Sequence, residues 1–173
     1  MADLNELIGG LPLDRIAQGL GVDEATARSA VEAAIPALAG GMEANAQDDT
    51  GAAALRNALQ QHEDGIPDGD IDIDGIDTDD GDKIVNHVFG DNREQVTQQL
   101  GGIGGLDSGT ITKLLPLLAP IVMGFIAKQM RAKSGGDSGG GGDLTDVLGG
   151  LVGGSGGGGG GLLDMLGGLF GKK

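Results

Sequence analysis

From Ile111 to Met130 the chain is apolar nearly all round, with Leu114, Leu115, Leu117, Leu118, Ile121, Val122, Met123, Phe125 and Ile126 leaving no polar face. A helix of that kind belongs in the centre of a domain, with other helices laid over every side of it. A bilayer span is the competing use. The uninterrupted stretch, Leu114 to Ala127, is 14 residues long and falls short of the roughly 20 needed to cross a membrane. Pro116, Pro120 and Gly124 are four apart within it and share a face. Each internal proline removes a backbone hydrogen bond, at a cost of roughly 3 kcal/mol. Such a face is kept where a neighbouring helix packs closely or where the helix breaks.

The rest of the body supplies shorter helices to cover it. Leu13, Ile16, Ala17 and Leu20 form one apolar stripe, opened by Pro12 and ended by Gly21. Asp23 is an N-cap for a second helix carrying Ala27, Val31, Ala34, Ile35 and Leu38, with a kink expected at Pro36 and a stop at Gly40-Gly41. Leu55, Ala58, Leu59 and His62 make a third stripe, capped from Asp48-Asp49-Thr50. Ile84, Val85, Val88 and Phe89 make a fourth, stopped by Gly90, and Val96 with Leu100 a fifth. No segment alternates as a strand would, so the fold class is all-α.

Sliding the chain by 84 positions sets Gly21-Val22-Asp23 on Gly105-Leu106-Asp107, Thr26 on Thr110, Pro36 on Pro120 and Gly40 on Gly124. With a four-residue insertion upstream, Ile16 to Leu20 aligns with Val96 to Leu100. The domain thus reads as two related helix-turn-helix-like units over residues 1–133, each too small to bury a core alone. The first unit invites a comparison with DNA-reading motifs, which need Lys or Arg to neutralise phosphates. Its second helix offers Arg28 against Asp23, Glu24 and Glu32, and residues 1–64 hold three bases and eleven acids, net −8. Nucleic acid is therefore an unfavoured partner, and a DNA-binding regulator stands as the rival reading. Residues 83–133, with six bases and three acids, are the only net-basic stretch.

Between those halves, residues 65–82 carry eight acids and no base and read as a loop. Asp70, Asp72 and Asp74 followed by Gly75 match the first half of a calcium loop, in which alternate side chains supply oxygens. Gly81 stands where a bidentate Glu is needed, so only a non-standard site, closed by Asp77 and Asp79 with their neighbours, remains. Weak, poorly selective calcium binding is the expectation, with no other cofactor. An enzyme is not expected: the two histidines, His62 and His87, have no recognisable nucleophile or orienting partner, and no glycine run stands in a phosphate-cradling frame. The chain has no Cys, Trp or Tyr, which excludes thiol chemistry and base-stacking platforms.

After Lys133 the material changes. Of 37 glycines, 19 fall in residues 134–173. Two short apolar peptides stand among them, Asp146-Val147-Leu148-Gly149-Gly150-Leu151-Val152-Gly153 and, 18 residues later, Asp164-Met165-Leu166-Gly167-Gly168-Leu169-Phe170-Gly171. The entropy of glycine argues against helices there, so the segment reads as a flexible tether carrying sticky peptides. Such peptides suit weak multivalent contacts with the chain itself, a partner groove or a membrane surface.

The segment Gly81 to Gly90, the helix Leu114 to Gly124 with its two prolines, and the Leu-Gly-Gly tail together resemble the bacterial domain-of-unknown-function 937 family. That resemblance implies an all-helical bacterial protein without an assigned activity, and it transfers no catalytic or binding residue. The Asp-rich stretch 68–82 is where departure from relatives is expected. Met1 to Gly10 shows no basic start followed by an apolar run, which favours a cytoplasmic protein. The reading is a non-enzymatic interaction or scaffold protein, its tail contacting an unknown protein partner or a second copy.

Overall fold

The computed structural model describes residues 4–61, 71–134 and 144–153, and among them every regular element is helical. The helices are α1 (Leu4–Gly9), α2 (Leu13–Leu20), α3 (Glu24–Ala46), α4 (Asp49–Gln61), α5 (Thr78–Phe89), α6 (Arg93–Gly104), α7 (Ser108–Ser134) and α8 (Leu144–Gly153). Two of them form the axis of the body. All seven other helices pack on α3, and α7 is packed by α2, α3, α4, α5, α6 and α8. The all-round apolar character of α7 is thereby explained: 78% of its most apolar window is buried, although by length and composition it is the one described helix able to cross a membrane.

The two turns expected to correspond are built alike. Gly21 and Gly105 both adopt the left-handed conformation, φ +71° and +66°, which only glycine enters at little cost. Val22 N donates to Ala17 O at 3.0 Å, and Leu106 N to Gly101 O at 3.1 Å. Asp23 and Asp107 then cap α3 and α7, accepting from Thr26 N and Thr110 N, both at 2.9 Å, and from the two threonine hydroxyls. Matching Ala17 to Gly101 keeps the 84-residue register running upstream without a break. At that constant spacing, without the four-residue insertion, Leu13, Ile16 and Ala17 stand 84 residues before Thr97, Leu100 and Gly101, and all six are buried.

Neither Pro36 nor Gly40-Gly41 stops α3, which continues to Ala46. Pro36 deprives the Glu32 carbonyl of its helical donor, and Glu32 is an exposed residue of α3. In α7 the equivalent orphan, the Pro116 carbonyl left by Pro120, is buried. Gly81 of α5 lies directly against it, so close that any Cβ would collide with that oxygen. The proline face of α7 is kept because α5 packs there. Gly41 serves likewise in α3, where a Cβ would meet Val88 Cγ1 at 2.6 Å.

The stretch 65–82 is a loop only in part. Ile73 is buried in a 3-10 turn over Ile73–Gly75, Ile71 and Ile76 pack on the core, and α5 begins at Thr78. Its acids conceal a helix start, since carboxylates are favoured at a helix N-terminus by the dipole and by free amides. The tether also needs correction within residues 144–153. They form α8, with Leu144, Val147, Leu148 and Leu151 each no more than 6% exposed against the body. Packing of that i, i+3, i+4, i+7 stripe on α3 and α7 overrides the poor helix propensity of three glycines.

Candidate functional site

The carboxylates proposed for calcium are put to local use. Asp70 lies outside the described residues. Asp72 caps the 3-10 turn, its Oδ1 accepting from Asp74 N at 3.2 Å. Asp74 Oδ2 accepts from Arg15 Nη1 at 3.0 Å, an ion pair open to water on both sides and worth little for that reason. Asp77 caps α5, with Oδ1 accepting from Asp79 N at 3.0 Å and Asp80 N at 3.1 Å, while Asp79 stands in the helix's first turn. Among the described residues no group of three or more His, Asp or Glu side chains converges to hold a metal ion.

The helix-turn-helix is real, but its second helix is the axis of the fold. At the N-terminal end of α3, the exposed residues are Glu24, Ala25, Arg28, Ser29 and Glu32, beside the exposed cap Asp23. Both cap aspartates are held below the ordinary carboxylate range, chiefly by the threonine hydroxyl and then by the same threonine's amide. They therefore stay charged well into acid and add negative potential at the end a DNA reader would present.

A cleft of about 240 Å³ lies between α4 and α5 over Met123 of α7, with Leu55, Ala58, Ile84 and Val88 on its walls. Lys83, Asp80, Gln61 and His87 are at its rim. Asp80 and Lys83 approach each other to 3.9 Å, and the lining has no Ser, Thr or Cys to act as a nucleophile. His62, the other histidine, lies outside the described residues.

The remaining candidate is the face of α3 and α7 covered by α8. There α8 follows α7 after nine residues, 135–143, every one of them glycine, serine or aspartate. Among the side chains of α8 that are described, Leu144, Val147, Leu148 and Leu151 form one buried apolar stripe. The α8 glycines do not serve close approach: a Cβ at Gly149 would meet Glu43 Oε1 at an ordinary 3.6 Å, and one at Gly150 would meet nothing within 4 Å. Of the three contacts the sequence left open for this peptide (the chain itself, a partner groove or a membrane surface), the structure places residues 144–153 against the chain itself, as a helix where a flexible tether was expected. The signal was present in the spacing of Leu144, Val147, Leu148 and Leu151.

No curated protein and no solved structure matches the chain. A family model described as bacterial protein of unknown function, DUF937, matches residues 2–129. The match takes in α1 to α6 and most of α7 and stops short of α8, and the chain belongs to this family.

Proposed function

We propose that this protein is a non-enzymatic interaction module whose helical body binds short Leu-Gly-Gly-Leu helices in the face formed by α3 and α7. The observation that carries the reading is α8 itself, ten residues buried through Leu144, Val147, Leu148 and Leu151 although rich in helix-weakening glycine. A tethered ligand of this kind gains occupancy from its high local concentration rather than from intrinsic affinity. The same face, once uncovered, is apolar and suits an equivalent helix from a partner protein or a second copy. Calcium is at most a weak, poorly selective ligand of the acidic segment.

The test uses the full chain carrying Leu148→Asp and Leu166→Asp, which disables both tail peptides. A labelled synthetic peptide with the sequence of residues 144–153 is titrated in and followed by fluorescence anisotropy. Saturable binding to this variant, with weaker binding to the unmodified chain, is expected. Equal or absent binding to both contradicts the reading. The rival, a regulator that reads duplex DNA through α3, is disfavoured by Asp23, Glu24 and Glu32 around the single Arg28. Only trace retardation of duplex DNA at low salt is expected; specific binding at moderate salt, lost on Arg28→Ala, would promote that rival.

A further inference from the structure

The helix that occupies the docking face has a near copy further along the chain. Residues 144–153 read Leu-Thr-Asp-Val-Leu-Gly-Gly-Leu-Val-Gly, and residues 162–171 read Leu-Leu-Asp-Met-Leu-Gly-Gly-Leu-Phe-Gly. Seven of the ten positions are identical, and the differences are Leu for Thr145, Met for Val147 and Phe for Val152. Of the four side chains that α8 buries, three recur unchanged as Leu162, Leu166 and Leu169, and the fourth, Val147, recurs as Met165. Methionine is unbranched and adapts to irregular gaps, so it suits a site shaped by valine better than a stiff, larger residue would. The four anchors keep the i, i+3, i+4, i+7 spacing that places them on one helical face.

We infer that residues 162–171 are a second ligand for the face of α3 and α7, exchanging with α8 within the same chain. The inference rests on the function proposed above and names its second occupant. Chain length permits the exchange. With α8 docked, nine residues (135–143) connect it to α7; with 162–171 docked, the connection is the 27 residues 135–161, most of them glycine. A threefold longer connection lowers the local concentration by about fivefold, from the three-halves power of length. The larger apolar side chains at 165 and 170 act in the opposite direction. The two occupants are thus of comparable standing, and each chain has two ligands for one face. Whichever is undocked presents Leu, Met or Val and Leu to another molecule carrying the same kind of groove.

The experiment compares thermal unfolding of four full-length proteins: unmodified, Leu148→Asp, Leu166→Asp and the double variant. Leu166→Asp alone is expected to leave the midpoint unchanged, because α8 remains docked. Leu148→Asp alone is expected to lower it by about 2 °C, since 162–171 takes over, and the double variant by roughly 5 °C or more, the scale expected for a chain of this size. A double variant no less stable than Leu148→Asp overturns the inference, as does a large effect of Leu166→Asp alone. Should the Asp variants fail to fold, the alanine series Leu148→Ala and Leu166→Ala is read by the same non-additivity. Competition separates this inference from the function it rests on. A peptide with the sequence of residues 162–171 should displace labelled 144–153 peptide from the double variant; if only 144–153 binds, the exchange fails and the docking function stands, and if neither binds, both fail.

Discussion

Helices α4 and α8 hold corresponding places and are made of different stuff. Each follows one of the two long helices and crosses to pack on the other, α4 from α3 onto α7 and α8 from α7 onto α3. In α4 the one glycine, Gly51, is demanded by packing, because any Cβ would collide with the Asn45 carbonyl. Asn45 in turn ties the end of α5 to α3, donating through Nδ2 to His87 O at 2.8 Å. In α8, Gly149 and Gly150 face open space or an ordinary contact, so they weaken the helix without any compensating approach. On the proposed reading one helix is built into the body and its counterpart is docked on it. A glycine's meaning lies in what a Cβ would strike, and the same residue type marks a close joint at 51 and a position without packing demand at 149 and 150.

The strongest way to break the contrast is to place a methyl group where the built-in region forbids it. Gly81→Ala forces α5 off the Pro116 carbonyl and should cost about 3 kcal/mol, read as a lower urea midpoint with an unchanged slope. Gly150→Ala, the same substitution on α8, should have the opposite sign. Truncating buried leucines sharpens the difference further. Leu118→Ala in α7 should cost roughly 3 kcal/mol, as cavities in fixed structure do. Leu148→Ala should cost only about 1 kcal/mol although Leu148 is equally buried, because the loss cannot exceed what docking of α8 contributes.

The paired caps come next in size. Asp23→Ala or Asp107→Ala should each lower the midpoint of unfolding followed by circular dichroism, because the cap to Thr26 or Thr110 is lost. Their pH dependence has a definite sign: both carboxyls titrate below their ordinary value in the folded chain, so their stabilisation is fully present above the unfolded value near 4. It disappears as pH falls through the lowered folded value. The double variant Asp23→Asn with Asp107→Asn should therefore differ from the unmodified chain at neutral pH and converge with it in strong acid. The smallest change is the gain from Gly150→Ala, about 0.5–1 kcal/mol, seen only where α8 is docked.

Local rules made the interior of the body legible. The stripe on α2, the left-handed Gly21, the Asp23 cap and the apolar α7 all follow from spacing and cap chemistry carried within a few residues. What was hidden is tertiary. Pro36 and Gly40-Gly41 look like a helix end, yet α3 runs on to Ala46 because seven helices pack along it and Gly41 admits Val88 and Phe89 of α5. The acids around Asp77 looked like a solvated loop because their sum of charge says nothing about which of them caps α5. Residues 144–153 looked like tether because glycine propensity is local, whereas the surface that overrides it lies on α3, some hundred residues away in sequence. The docking face could be anticipated only as a peptide in search of a groove.

Native-state hydrogen exchange on the unmodified full-length chain measures detachment directly. The amides of Leu148 to Leu151 in α8 should exchange through local opening, at rates that stay nearly constant as low concentrations of denaturant are added, while those around Leu55 to Leu59 in α4 exchange only with the body's global unfolding. If α8 shows the same protection and the same denaturant dependence as α4, the helix is as built-in as its counterpart, and a docked, exchangeable ligand is the wrong description of it.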